Sequence, residues 1–222
     1  SVLQKQVLIQ DAIISELNSN KQSFIFSKKN FKDLLNKSFD EKKKLGNTYV
    51  KITRYNSELF DVISSRSYID YDYRNIFLIN ENGILSYATI SDLKKNEIIF
   101  NIINSNINDF ILQKPSVKSL LIKKNKIYIS YVKEIDEKCF VNAILVGDKD
   151  FGKIIFKEFI KFNECQPSLD VQAGGKLSDY YENKILITIG DYSNPANWKN
   201  GKTQSLESII GKIISIDENS KD

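Results

Sequence analysis

Three stretches of this chain repeat one design, and that repetition limits the fold more than any other feature. Leu78–Tyr87, Leu121–Ser130 and Leu177–Thr188 each run as a strand into a polar turn around an asparagine, then leave as a second strand with alternating side chains. The turn asparagines, Asn82, Asn125 and Asn183, are 43 and 58 residues apart. A four-stranded propeller blade takes roughly 40–50 residues, so the first interval fits one blade and the second fits a blade with an extended loop. A β-sandwich produces a similar rhythm of strands. The repetition therefore predicts a mainly β chain, a partial β-propeller of about three to four blades, with each hairpin as the inner pair of its blade.

The β pattern begins near Thr48. Before it, Val7, Leu8, Ala12, Ile13 and Leu17 recur at helical spacing, as do Phe31, Leu34, Leu35 and Phe39. Asn30 is placed to cap the second stripe and Gly46 to stop it. These features predict a helical N-terminal segment over 1–45 and blades over 46–222.

Composition narrows the chemistry. The 222 residues contain no histidine, which removes Ser-His-Asp and Cys-His catalysis, histidine-ligated metals and a histidine base from what this sequence can do by itself. Any proton transfer would use a perturbed Asp, Glu, Lys or Tyr. The net charge of +4 is small, and short lysine runs such as Lys42–Lys44 read as solvated surface, so no nucleic-acid partner is expected. No apolar run is long enough to span a bilayer and no signal peptide opens the sequence. Methionine is absent, so the sequence reads as a processed chain or as a piece of a longer one.

The two cysteines, Cys139 and Cys165, lack redox-motif spacing and are too few for a metal cage. They either remain separate buried thiols or, if the segments between them form a hairpin, meet in a disulfide. A bridge would favour an extracytoplasmic location, periplasmic or secreted.

Residues 172–217 carry an ordered set of motifs: Gln172-Ala173-Gly174-Gly175-Lys176-Leu177, a strand ending Gly190-Asp191, Gln204, and Gly211-Lys212 entering a last strand to Asp217. This set resembles the site region of the soluble PQQ-dependent sugar dehydrogenases, the glucose/sorbosone dehydrogenase family, and the resemblance extends more loosely back to residue 119. It implies propeller blades, a sugar substrate and PQQ as cofactor. By the same resemblance Gln172, Gly174, Asp191 and Gln204 are the cofactor-contacting candidates, Gly174 and Gly175 allow close approach to a flat cofactor, and Asn194, Asn197 and Trp198 sit in a loop over the channel mouth. Calcium belongs to the family, and no calcium site is visible in this sequence.

Gln172 stands where the family's catalytic histidine belongs, or Val171 does if the alignment shifts by one, and neither side chain is a base. The family's partner aspartate is displaced, with Asp170 one position early. Loss of a general base typically forfeits about 10²–10⁴ in rate. Six blades also need more residues than 222, so the ring is expected to be incomplete or completed by another chain. Two other readings stand beside this one. One is a non-catalytic propeller binding a carbohydrate or a protein partner. The other is a propeller glycosidase using Asp179 or Asp191 with Glu182.

Overall fold

The computed structural model describes residues 32–45, 48–56, 66–94, 97–111, 116–167 and 172–219. The first helical stripe, Val7 to Leu17, and the proposed cap and stop at Asn30 and Gly46 lie outside these residues. More than half of the described residues lie in strands, with one short α-helix and two 3-10 turns.

Three sheets follow one another along the chain. The middle one is a four-stranded antiparallel sheet in sequence order: β8 (Val117–Lys123), β9 (Lys126–Asp136), β10 (Cys139–Asp148) and β12 (Lys157–Lys161). Before it come β3 (Ser67–Tyr71), β4 (Asn75–Asn80), β5 (Leu85–Thr89) and β6 (Glu97–Ile102), extended by β1 (Lys32–Leu45) and β2 (Thr48–Asn56). After it come β13 (Gly174–Tyr180), β14 (Lys184–Ile189) and β15 (Ile213–Asp217). A short parallel pair, β7 (Asn104–Ser105) with β11 (Lys153–Ile154), joins the first region to the second.

The middle sheet is buried on both faces, and its sequence shows why. Leu120, Ile127, Ile129, Tyr131, Ala143 and Leu145 pack with Phe77, Ile79 and Leu85 of the first sheet. Their neighbours in sequence, Leu121, Tyr128, Val132, Ile144 and Val146, pack with Leu177, Ile185, Ile187 and Ile189 of the third. Successive strand residues point to opposite faces, so a near-continuous apolar run fills two cores at once. Sheets stacked face to face in chain order are propeller blades. β8 lies against β3 on one side and β13 on the other, which makes these three the innermost strands.

The structure changes two sequence expectations. Lys32–Leu45, expected to be helical, is a strand paired with β2 and β6, so the sheet continues through the boundary placed at 45/46. A stripe of four apolar residues is a weak local preference, and pairing on both edges of β1 outweighs it. The hairpins of the second and third blades are inner pairs, as expected. The Asn82 hairpin is not: it joins β4 to β5, one strand further out, because β3 already occupies the inner position.

Candidate functional site

The residues singled out at the start of the third blade form a strip where β13 begins and β14 ends. Gly174 pairs with Ile189, the Gly190 N–H donates to Ala173 O at 2.9 Å, and the Tyr192 N–H donates to Gln172 O at 3.2 Å. These bonds bring Gln172, Gly174, Gly190 and Asp191 together. Gln172 is exposed and Asp191 is half-buried, with its Oδ1 accepting from the Ser193 N–H at 3.0 Å.

The glycines are required by the chain's own backbone. A Cβ on Gly190 would lie 1.7 Å from Gln172 O, and one on Gly174 would lie 2.6 Å from the Gly190 nitrogen. Gly174 and Gly175 also hold φ of 76° and 90°, which side chains disfavour. The resemblance gives the glycines to a flat cofactor; at Gly174 and Gly190 the close neighbour is the chain's own backbone on the adjacent strand.

Behind the strip runs a buried amide network that sequence patterns do not reveal. The Asn142 side chain, on β10, donates to Ala173 O at 2.9 Å and to the Tyr192 hydroxyl at 2.8 Å. Burial pushes the Tyr192 phenol well above its ordinary range, against the hydrogen bonds from Asn142 that lower it, so it is neutral at physiological pH. Asn197 donates to Gln166 Oε1 and to Asp191 O, both at 2.8 Å. Its buried position assigns Asn197 to anchoring the loop after β14 rather than to meeting a ligand. The only sequence signal for this network is two polar residues, Asn142 and Gln166, inside or beside apolar strands.

The other loop residues divide by role. Asn194 caps the helix α1 (Pro195–Lys199), its side chain accepting from the Ala196 N–H at 3.1 Å. Trp198 on that helix is 55% exposed. Gln204 is exposed in a separate turn, where its N–H donates to Gly201 O at 3.0 Å. Lys212 donates to Thr203 O at 2.6 Å and Ile210 O at 3.1 Å, closing that turn against the start of β15. Val171 and Asp170 lie outside the described residues.

The carboxylates of the glycosidase reading do not converge as a set. Asp179 is at the far end of β13 from Gly174, and Glu182 lies just beyond it. At about 3.3 Å per residue, that end is roughly 15–20 Å from Asp191. Glycosidase carboxylates sit at most about 9.5 Å apart, so Asp191 and Glu182 cannot act as a pair. Among the described residues, no three His, Cys, Asp or Glu side chains are grouped to hold a metal ion.

Cys139 and Cys165 form a disulfide with Cα atoms 4.8 Å apart. It closes the outer pair of the middle blade: β10 and β12 are antiparallel, and Phe140 and Gln166 exchange backbone hydrogen bonds of 2.9 Å beside the bridge.

No family model matches the sequence, and no curated protein matches it. Solved structures do. One described as glucose dehydrogenase superposes with a TM-score of 0.51 at 13% identity, over 69% of this chain and 48% of that one. A crystal structure of glucose dehydrogenase gives a TM-score of 0.53 at 13% identity, over 72% and 46%. The soluble aldose sugar dehydrogenase from Escherichia coli, in the apo form, matches at 14% identity over 68% and 43%, with a TM-score of 0.48. The chain spans about half the length of the structures it matches. Its three sheets are therefore a run of propeller blades folded like those of the glucose dehydrogenases.

Proposed function

We propose that the chain is a sugar-handling β-propeller related to the PQQ-dependent glucose/sorbosone dehydrogenases, and that its residues bind and position rather than accept a proton. The observation that carries this reading is the shared blade fold, with Gln172, Gly174, Gly190 and Asp191 drawn together at the end of the third blade. By the resemblance, Gln172 and Gln204 would offer amides to the oxygens of PQQ and Asp191 a carboxylate to a sugar hydroxyl, with the exposed Trp198 on the loop between Asp191 and Gln204. PQQ, when bound, supplies the two-electron chemistry of sugar oxidation. The protein holds the strip rigid through the Asn142 and Asn197 networks, and it offers no base at Gln172. The disulfide supports an extracytoplasmic placement.

A dye-linked sugar oxidation assay with PQQ and calcium tests this reading. Wild-type protein is expected to oxidise aldoses slowly, and Gln172→His to do so about 10²-fold faster by supplying the missing base. No oxidation by either protein, with both folded, would overturn the dehydrogenase reading. The lack of any histidine favours the second reading, a non-catalytic propeller that binds carbohydrate, and a sugar-induced rise in melting temperature without oxidation would select it.

A further inference from the structure

A second feature lies at the opposite end of the inner strands. The C-terminal ends of β3, β8 and β13 border an open groove of about 860 Å³, within the size range of ligand sites. Large aromatic side chains stand around it in solvent: Tyr71 is 69% exposed, Tyr73 fully exposed and Tyr181 79% exposed. Three exposed tyrosines on one groove mark it as a candidate interaction surface, since their rings offer apolar faces and their hydroxyls polar tips.

The floor beneath the rings is rigid. Lys123, its side chain only 4% exposed, bonds Asp179 Oδ1 at 2.8 Å, Tyr181 O at 3.1 Å and Lys184 O at 2.7 Å. The same ammonium lies 3.7 Å from Glu218, which accepts from the Tyr128 hydroxyl at 3.0 Å. One buried cation therefore fixes both the Asp179 carboxylate and the Tyr181 turn, whose φ of 38° is unusual for a bulky residue. Asp179 itself lines the groove and remains 63% exposed. Lys124 next to it is held by Glu182 O at 3.0 Å and Asn183 Oδ1 at 3.1 Å.

The charges decide what fits. The groove carries four carboxylates against three lysines, and the pairs already formed neutralise much of both. Such a surface has no net attraction for a strong anion or cation. It offers ring faces for apolar C–H surfaces and fixed carboxylates, ammoniums and carbonyls for hydroxyls. We propose that this groove is a binding site for a neutral oligosaccharide, separate from the Gln172–Asp191 strip and roughly 15–20 Å from it along β13.

Isothermal titration calorimetry of the full chain with cellohexaose, maltohexaose, mannohexaose and xylohexaose tests this, with hexagalacturonate and hexameric chitosan as charged controls. At least one neutral oligomer is expected to bind, and Tyr73→Ala and Tyr71→Ala to weaken it tenfold or more. Both substitutions are at exposed positions, and circular dichroism checks that the fold is kept. Gln172→Ala is expected to leave this binding unchanged, so loss of function at the strip and loss of the groove site are distinguished. Binding by no neutral oligomer, binding by charged oligomers alone, or affinity indifferent to both tyrosine changes would overturn the proposal.

Discussion

At the scale of single residues, the strip is governed by backbone contact. Gly190→Ala sets a Cβ against a carbonyl oxygen that cannot move aside without breaking the Tyr192–Gln172 bond. Overpacking of this kind costs about 3 kcal/mol, so urea unfolding of the variant should show a loss near that size. A loss under about 0.5 kcal/mol would mean the strands separate easily. Asp72 gives a second test. Burial alone would raise its carboxyl, but hydrogen bonds from Lys149, from the N–H groups of Arg74 and Asn75, and from the Asn75 side chain hold it at about 2, below the ordinary 3.8. A lowered folded-state value means the contribution is present above about pH 4 and fades as pH falls towards 2. With solvent screening, about 1 kcal/mol is expected. Asp72→Asn should therefore lower stability at pH 6, with the gap to wild type narrowing at pH 2.5.

Elements show which parts of the fold are legible in the sequence. The hairpins around Asn125 and Asn183 are readable because each has a polar turn between two strand runs, and turn chemistry is local. The displaced position of the Asn82 hairpin is not readable, since it depends on β3, whose Ser-Tyr-Ile-Asp-Tyr run carries little apolar signal. The strand at Lys32–Leu45 escapes for a related reason: its partners, β2 and β6, decide its state, and β6 is some sixty residues away. In the site, the glycines and Asp191 are visible as turn residues, whereas Asn142, Gln166 and Lys123 acquire their roles only when blades stack. The disulfide belongs to this scale too. It ties β10 to the segment after β12 across 26 residues, and in the chain-entropy account such a closure contributes about 3–4 kcal/mol. The double variant Cys139→Ser, Cys165→Ser should lose about that much in chemical denaturation, and an unchanged midpoint would show that the β10–β12 pairing holds without it.

Across the whole molecule, blade-to-blade contacts combine apolar faces with a few polar links. Asp70 accepts from the Ile122 N–H at 2.6 Å between the first and second blades. Ser119 Oγ accepts from the Leu177 N–H at 3.1 Å between the second and third, and Ser130 bonds the Gly175 carbonyl. Lys123 adds carbonyl and carboxylate contacts along the same junction. The middle blade is thus held from both sides, and the ends of its neighbours' inner strands are fixed relative to it. That rigidity is what would let the Gln172–Asp191 strip meet a cofactor without reorganising. The most direct test of this account is a thermal melt of the purified chain with and without PQQ plus calcium. At 100 times the dissociation constant a ligand stabilises by about 2.7 kcal/mol, which for a chain of this size raises the melting temperature by roughly 5–10 °C. The account predicts such a rise, diminished in Gln172→Ala; an unchanged melt of well-folded protein at saturating PQQ would contradict it.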